Sequence, residues 1–390
     1  MNRYHRQILL PQIGPAGQDR LGRSRVLLVG CGALGTVLAE HLVRGGVGFL
    51  RIADRDIVEV SNLQRQTLFD ERDAAELTPK AIAAARRLSS INSDMQIEPI
   101  VANVDSENIE KLAGMADRRS PSPGLPVVPA RWGGGSAGQN ANSGHEKYPL
   151  PNPPPECQGR EIEETVDLIL DGTDNVETRG LINDVAVKHR LPWVYAACVG
   201  MTGRVMPIRA GGPCLRCVFP ELPAPAELPS CDTAGVFAPA AAVVASLAAA
   251  AAIRILIGAE QTPELTTVDL WANRIRAISV GDTPRPDCPV CGRREFTFLL
   301  GSAAGRSASL CGQNAVQIRP GASGGTIVFS LLENKLQHSG AIRRNAHLLR
   351  CDLHAPAGVS LTVFPDGRAI VHGAGGETQA RSVYARYIGA

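Results

Sequence analysis

The chain has almost no excess of charge of either sign. Its 390 residues carry 40 basic and 38 acidic side chains, a formal charge of +2. Such a balance leaves no electrostatic footprint for nucleic acid or for an anionic membrane, and no nucleic-acid partner is expected. No signal-peptide apolar core follows the opening Met1 to Gln7. Long apolar runs are also scarce. Val236–Ile253 holds no charge over 18 residues, but alanine dominates it, Arg254 follows at once, and no positive or aromatic belt flanks it. It reads as a buried helix, Pro239 to Ile257, whose small side chains predict pairing across a two-fold axis. The sequence thus predicts a soluble, cytoplasmic protein of about two domains with no membrane partner.

Ten cysteines without a secretory signal point away from a disulfide framework and toward metal or thiol chemistry. Four of them form two Cys-x-x-Cys pairs, Cys214 with Cys217 and Cys288 with Cys291. Four thiolates suit tetrahedral zinc and leave no open coordination position, so the metal is predicted to be structural and to join two distant segments. Redox dithiol chemistry is the other reading of such pairs.

Short apolar runs alternate with helical patterns. Arg25–Gly30, Phe49–Ala53, Ile97–Val101, Val166–Leu170 and Trp193–Cys198 read as strands; Ala33–Arg44, Lys80–Ile91 and Glu177–His189 read as helices. This predicts an α/β fold, a Rossmann-like, mostly parallel sheet with helices on both faces. Between 120 and 160, 16 of 41 residues are Pro or Gly, which predicts a disordered surface insertion. Residues 296–390 read as a separate small α+β domain. Its predicted strands are Ser309–Arg319, Ala346–Leu353, Ser360–Phe364 and Arg368–His372, with a turn at Pro365-Asp366-Gly367. Helices are predicted over Ile327–Leu336 and Thr378–Ile388.

Gly30-Cys31-Gly32-Ala33-Leu34-Gly35 fits G-x-G-x-x-G between a strand and a helix, where backbone N–H groups and the helix dipole favour phosphate. Asp54 ends the next strand, 24 residues after Gly30, in position to accept ribose hydroxyls. Asp56, the segment Ser61-Asn62-Leu63-Gln64-Arg65-Gln66, and Lys80 after Pro79 follow. An NAD site does not need the Asn, Arg and Lys of this region, whereas a triphosphate's roughly four negative charges do. Asp174, in Asp171-Gly172-Thr173-Asp174-Asn175, ends another strand and is a natural Mg²⁺ holder beside a triphosphate.

With Arg3-Tyr4-His5-Arg6-Gln7-Ile8 before them and Cys231-Asp232-Thr233-Ala234-Gly235-Val236 after them, these motifs fall in one order. That order resembles the ThiF/MoeB/HesA family, prokaryotic relatives of ubiquitin-activating enzymes, over residues 3–295 without the insertion. The resemblance implies a homodimeric adenylation domain over 1–295, an antiparallel extension of its sheet, and use of Mg-ATP and zinc. It also implies adenylation of the C-terminal glycine of a ubiquitin-like sulfur carrier for a molybdopterin- or thiamine-type pathway. A cysteine desulfurase or other sulfur donor is an implied partner.

Carried over residue by residue, Gly30, Gly32, Ala33 and Gly35 would line the adenine and phosphate side, and Asp54 would hold the ribose. Asn62, Arg65 and Lys80 would meet the triphosphate, Asp174 the metal and phosphates; Asp56, Ser61, Leu63, Gln64 and Asn175 stand in the same motifs. Arg6 would reach the γ-phosphate of the neighbouring subunit, and Cys231 would link covalently to the carrier or serve sulfur transfer. Ala33, usually glycine, and Gly172, commonly cysteine, depart from the pattern. Two other readings stand beside this one: an adenylating dehydratase acting on a tRNA base, and a nucleotide-binding scaffold without catalysis. There is no rhodanese-like tail, and Ile388-Gly389-Ala390 does not give the 296–390 region a carrier's Gly-Gly end.

Overall fold

The computed structural model describes residues 2–115, 165–223, 231–259, 262–301, 307–310, 315–318 and 327–389. The insertion expected over 120–160 lies outside the described residues. Eight strands form one sheet: β1 (Arg25–Val29), β2 (Phe49–Asp54), β3 (Gln96–Val101), β4 (Leu168–Asp171), β5 (Trp193–Val199), β6 (Thr202–Ile208), β7 (Glu264–Asp269) and β8 (Arg274–Ser279). Their order is β3-β2-β1-β4-β5-β6-β7-β8, parallel as far as β5 and antiparallel beyond it.

Alternation along β1 shows why the sheet takes helices on both faces. Val26 and Leu28 enter one apolar core with helices Ala33–Gly45 and Ala238–Leu256, while Leu27 and Val29 enter a second core with helix Val176–His189. All four are at most 2% exposed, and each such side chain contributes roughly 1.5–3 kcal/mol through burial. The long alanine-rich helix buries one face, as its composition predicts. It is long and apolar enough to cross a membrane, but Ala240, Ala241, Val244, Ala245, Ala248, Ala249 and Ala252 are buried within the chain, against helix Ala33–Gly45, β5 and β6. Its small side chains allow close approach inside one chain, so burial of this face does not require a second copy.

A second sheet follows: β9 (Ser307–Leu310), β10 (Ala315–Ile318), β11 (Gly340–Arg344), β12 (Leu349–Leu353), β13 (Ser360–Val363) and β14 (Ala369–His372), in the order β11-β12-β13-β14-β10-β9. Helices Phe329–Leu336 and Glu377–Tyr387 cover one face. The strand expected over Ser309–Arg319 is two antiparallel strands, with Leu310 paired to Ala315. Residues 311–314 between them lie outside the described residues.

Candidate active site

After β1 the chain turns through Gly30-Cys31-Gly32 into helix Ala33–Gly45. Gly30 has φ +87°, which favours glycine. A Cβ on Gly35 would lie 2.1 Å from the Gly30 carbonyl oxygen, and one on Gly172 would lie 2.3 Å from the same atom. The three glycines therefore close the turn directly onto the end of β4. The turn leaves no room for a side chain at Gly172. Ala33 begins the helix with φ outside the left-handed region, so its methyl adds no backbone strain. Gly35 packs beneath the turn and is not on the cleft wall.

The cleft beside this turn is lined by Gly30, Gly32, Ala33, Asp54, Asp56, Asn62, Arg65, Lys80, Asp174 and Asn175. Asp54 Oδ2 accepts the Cys31 N–H at 2.6 Å and Oδ1 accepts the Asp56 N–H at 2.7 Å. Burial pushes this carboxyl up, against the attraction of Lys80. A carboxylate has about four acceptor positions, which leaves two for ribose hydroxyls.

Lys80 opens helix Lys80–Ile91 and is only 4% exposed. Its Nζ lies 3.1 Å from Asp56 Oδ2. Burial works to discharge the ammonium, but Asp56 and Asp54 outweigh it and hold the pKa above the ordinary lysine value. Burial acts on Asp56 in the opposite sense to its charged neighbours, and Lys80 with Arg55 pulls its carboxyl down to about 2. Both groups are therefore charged at neutral pH, which supplies a fixed cation at the cleft.

Asn62 is buried in the short 3₁₀ turn Val60–Asn62, its Oδ1 accepting the Glu59 N–H at 3.2 Å. Arg65 Nη1 donates to the Ser61 carbonyl at 2.8 Å. Ser61 and Gln64 are exposed and Leu63 packs on the apolar core, so none of these three lines the cleft. Gln66 does line it, 4% exposed, with Oε1 buried and without a hydrogen-bond partner among the described residues. Gln66 stands in the Ser61–Gln66 motif, where nothing in the sequence marks it as a cleft residue.

Asp174 is exposed on the cleft, and Asn175 caps helix Val176–His189 by accepting the Thr178 N–H at 3.0 Å. Arg179, also missed, holds this loop from behind. It donates to Asp171 Oδ2 at 3.0 Å, to the Thr173 carbonyl at 2.7 Å and to the Ala196 carbonyl at 3.3 Å. Cys198, 8% exposed, is a further cleft residue that sequence reasoning did not single out.

Arg6 is not brought to this cleft. It is exposed in helix His5–Ile8, whose Gln7 donates to the Gly45 carbonyl at 2.9 Å. Gly45 ends the 13-residue helix that the glycine turn begins, and a helix of that length spans about 20 Å. Cys231 opens the short helix Cys231–Ala234; Val236, which follows, bridges Gly200 and lines the cleft.

Cys214, Cys217, Cys288 and Cys291 converge elsewhere, with all four sulfurs within 4.8 Å of one another. The Cys214–Cys288, Cys217–Cys291 and Cys214–Cys217 Sγ distances are 3.6, 3.3 and 4.0 Å. Zn–S bonds near 2.3 Å give a tetrahedron with edges of about 3.8 Å, so the donor set fits a four-thiolate metal. Val290, Val187 and Phe296 pack around it. Asn183 accepts the Leu215 N–H at 2.9 Å, tying the first pair to helix Val176–His189. The adjacent Asp184 accepts the Phe298 and Leu299 N–H groups at 2.9 and 3.2 Å, and burial pushes its carboxyl up to about 6.

A family model described as the ThiF family matches residues 4–118 and 141–290. The sulfur carrier protein ThiS adenylyltransferase of Bacillus subtilis is 36% identical over 388 residues, 99% of each chain. The sulfur carrier protein adenylyltransferase of Thermus thermophilus is 36% identical over 300 residues, covering 75% of this chain and 91% of that one. Among solved structures, Escherichia coli MccB with MccA-N7isoASN shares the fold at TM-score 0.55 and 21% identity, over 75% of this chain and 74% of that one.

Proposed function

Since the chain belongs to the ThiF family and is an adenylyltransferase, we propose that it activates the C-terminal glycine of a ubiquitin-like sulfur carrier with ATP. The observation that carries this reading is the buried, charged Lys80, gathered with Arg65 and Asn62 around a glycine turn and Asp54. In the reaction, a carboxylate oxygen of the carrier attacks the α-phosphorus, the bond to the β-phosphate oxygen breaks, and pyrophosphate leaves. Charge moves onto the departing pyrophosphate, which Lys80, Arg65 and the helix N-terminus at Ala33 are disposed to stabilise.

Asp174 would hold Mg²⁺, which screens the triphosphate when bound. The four cysteines would hold zinc, which supplies cross-linking of two segments and no open position for chemistry. Arg6, anchored about 20 Å from its own glycine turn, suits the cleft of a second copy, and this supports a homodimer. The Cys231 thiolate would attack the acyl-adenylate carbonyl and expel AMP, giving a thioester that a sulfur donor such as a cysteine desulfurase serves. Residues 1–295 form the adenylation domain in this reading and 296–390 a C-terminal domain; a cytoplasmic location fits an enzyme that consumes ATP. Adenylation of a tRNA base is not favoured, since the named relatives act on sulfur carriers. Loss of catalysis is at odds with the retained Arg65, Lys80 and Asp174. ATP–pyrophosphate exchange tests the reading: it should depend on a carrier with an intact C-terminal glycine, and carrier-independent or absent exchange would contradict it.

A further inference from the structure

Two loop segments carry the Asp56–Lys80 pair. They are stitched together by a bridge between Ile57 and Pro79, by the Val58 N–H on the Thr78 carbonyl at 2.9 Å, and by the Lys80 N–H on the Asp56 carbonyl at 2.9 Å. The second sheet packs directly on this stitch. Ile57 and Leu77 share a small apolar cluster with Ala315, Leu348, Phe364 and Ile370.

Polar contacts accompany the packing. Asn345 Nδ2 donates to the Glu76 carbonyl at 2.9 Å and the Leu77 carbonyl at 3.3 Å, while its Oδ1 accepts the His347 and Leu348 N–H groups. Leu77 has φ +52°, a conformation that a bulky L-residue holds only when its surroundings impose it. Arg368, 3% exposed, lies over the Phe364 ring with its guanidinium carbon 3.8 Å from the centroid, and donates from Nη1 to the Arg55 carbonyl at 3.0 Å. The turn before it is held by Tyr384 Oη, which donates to the Gly367 carbonyl at 2.9 Å. Burying a guanidinium is expensive, and an apolar side chain would join two domains as well. The guanidinium Nε also lies 3.8 Å from Asp366 Oδ2, and, behind Lys80 and Arg55, its charge helps to hold the Asp56 carboxyl down.

We propose that Arg368, assisted by Asn345, is a positioning residue for nucleotide binding: the C-terminal domain fixes the Arg55–Ile57 and Leu77–Lys80 segments and so presents Lys80 to the triphosphate. Through its hydrogen bond to the Arg55 carbonyl, Arg368 holds the residue next to Asp56 and so fixes where the Lys80 ammonium starts. This rests on the assignment of the cleft to ATP.

The test uses the full-length protein, Mg-ATP and titration calorimetry without carrier. Arg368→Ala and Asn345→Ala should each weaken ATP binding by about 10-fold, the size expected for one charge-assisted contact or a displaced cation, and Arg368→Lys should recover part of the loss. Leu361→Ala, which opens a cavity on the opposite face of the same sheet, should lower the melting temperature yet leave ATP affinity unchanged well below it. In an Asp56→Asn background the effect of Arg368→Ala should fall below about 3-fold, because the two act on one pair. Should Arg368→Ala fail to fold, the partly exposed Asn345 carries the test. Unchanged affinity in the folded variants, or full additivity with Asp56→Asn, overturns the positioning role alone. Wild-type protein that binds no ATP overturns the functional reading, and this inference with it.

Discussion

Lys80 and Asp56 are joined twice, by the 3.1 Å contact between Nζ and Oδ2 and by the 2.9 Å hydrogen bond from the Lys80 N–H to the Asp56 carbonyl. The double link fixes where the ammonium starts, and it makes the lysine part of the local structure as well as of the cleft.

Arg65→Ala and Lys80→Ala should each slow carrier adenylation by on the order of 10²–10³, the usual cost of one contact to developing charge in a water-poor site. Their stabilities should differ. Arg65 is partly exposed, so its loss should leave the melting temperature nearly unchanged. Sequence placement at a helix start suggests that Lys80 can also be removed without structural cost, but the structure buries it at 4% exposure. Its loss strands Asp56 and should cost roughly 1–3 kcal/mol as well. Pyrophosphate exchange and thermal melts on the same samples separate the two effects.

β1, β2, β4 and β5 were legible because they are buried along nearly their whole length and read as short apolar runs, the first three ending at Gly30, Asp54 and Asp171. Lys80–Ile91 has the same limits in sequence and structure. β8 was not legible: Arg274–Ser279 is exposed along its whole length, so no burial pattern marks it. Within the site, charged residues at strand ends stood out, whereas Arg179 and Gln66 did not. Arg179 works through carbonyls behind the cleft, and Gln66 differs from its neighbours Ser61 and Gln64 only in which way the turn after Asn62 faces it. The contact of Arg368 with Arg55 joins residues 313 apart in sequence, and no local pattern encodes it.

Zinc should copurify at about one equivalent per chain, as a four-thiolate site requires. Cys214→Ser and Cys288→Ser should each lower thermal stability by several degrees while ATP affinity in the remaining folded protein changes less than about twofold, since none of the four cysteines lines the cleft. Elemental analysis and melts with a chelator check this; metal-free protein of unchanged stability contradicts it.

Asp184 gives a pH dependence of definite sign. Its folded carboxyl titrates at about 6, above the roughly 3.9 of an unfolded aspartate. The folded state therefore binds this proton more tightly, and its contribution to stability rises as pH falls through 6 and is complete below 4. Above 6 the charged form is a penalty of roughly 2–3 kcal/mol. Asp184→Asn keeps an acceptor for the Phe298 and Leu299 N–H groups. It should raise stability near neutral pH by about 1–3 kcal/mol and flatten the profile between about pH 4 and 6. Urea melts across that range decide it; an Asn variant with the wild-type slope contradicts the assignment.

Arg6 and Asp174 should complement across subunits. Neither Arg6→Ala nor Asp174→Ala alone should adenylate carrier. A mixture with confirmed subunit exchange should regain activity, because one cleft of each mixed dimer pairs an intact Asp174 with an intact Arg6 from the other chain. Failure of the exchanged mixture would mean that Arg6 acts within its own chain or not at all.

The most direct measurement is the intact mass of a ubiquitin-like carrier, ending in glycine, after incubation with this protein, Mg²⁺ and ATP. The account predicts a carrier bearing one AMP on its C-terminal carboxylate, with pyrophosphate formed in equal amount, and no such product from carrier lacking the terminal glycine. Unmodified carrier in the presence of protein that binds ATP, or AMP appearing on RNA instead, would contradict it.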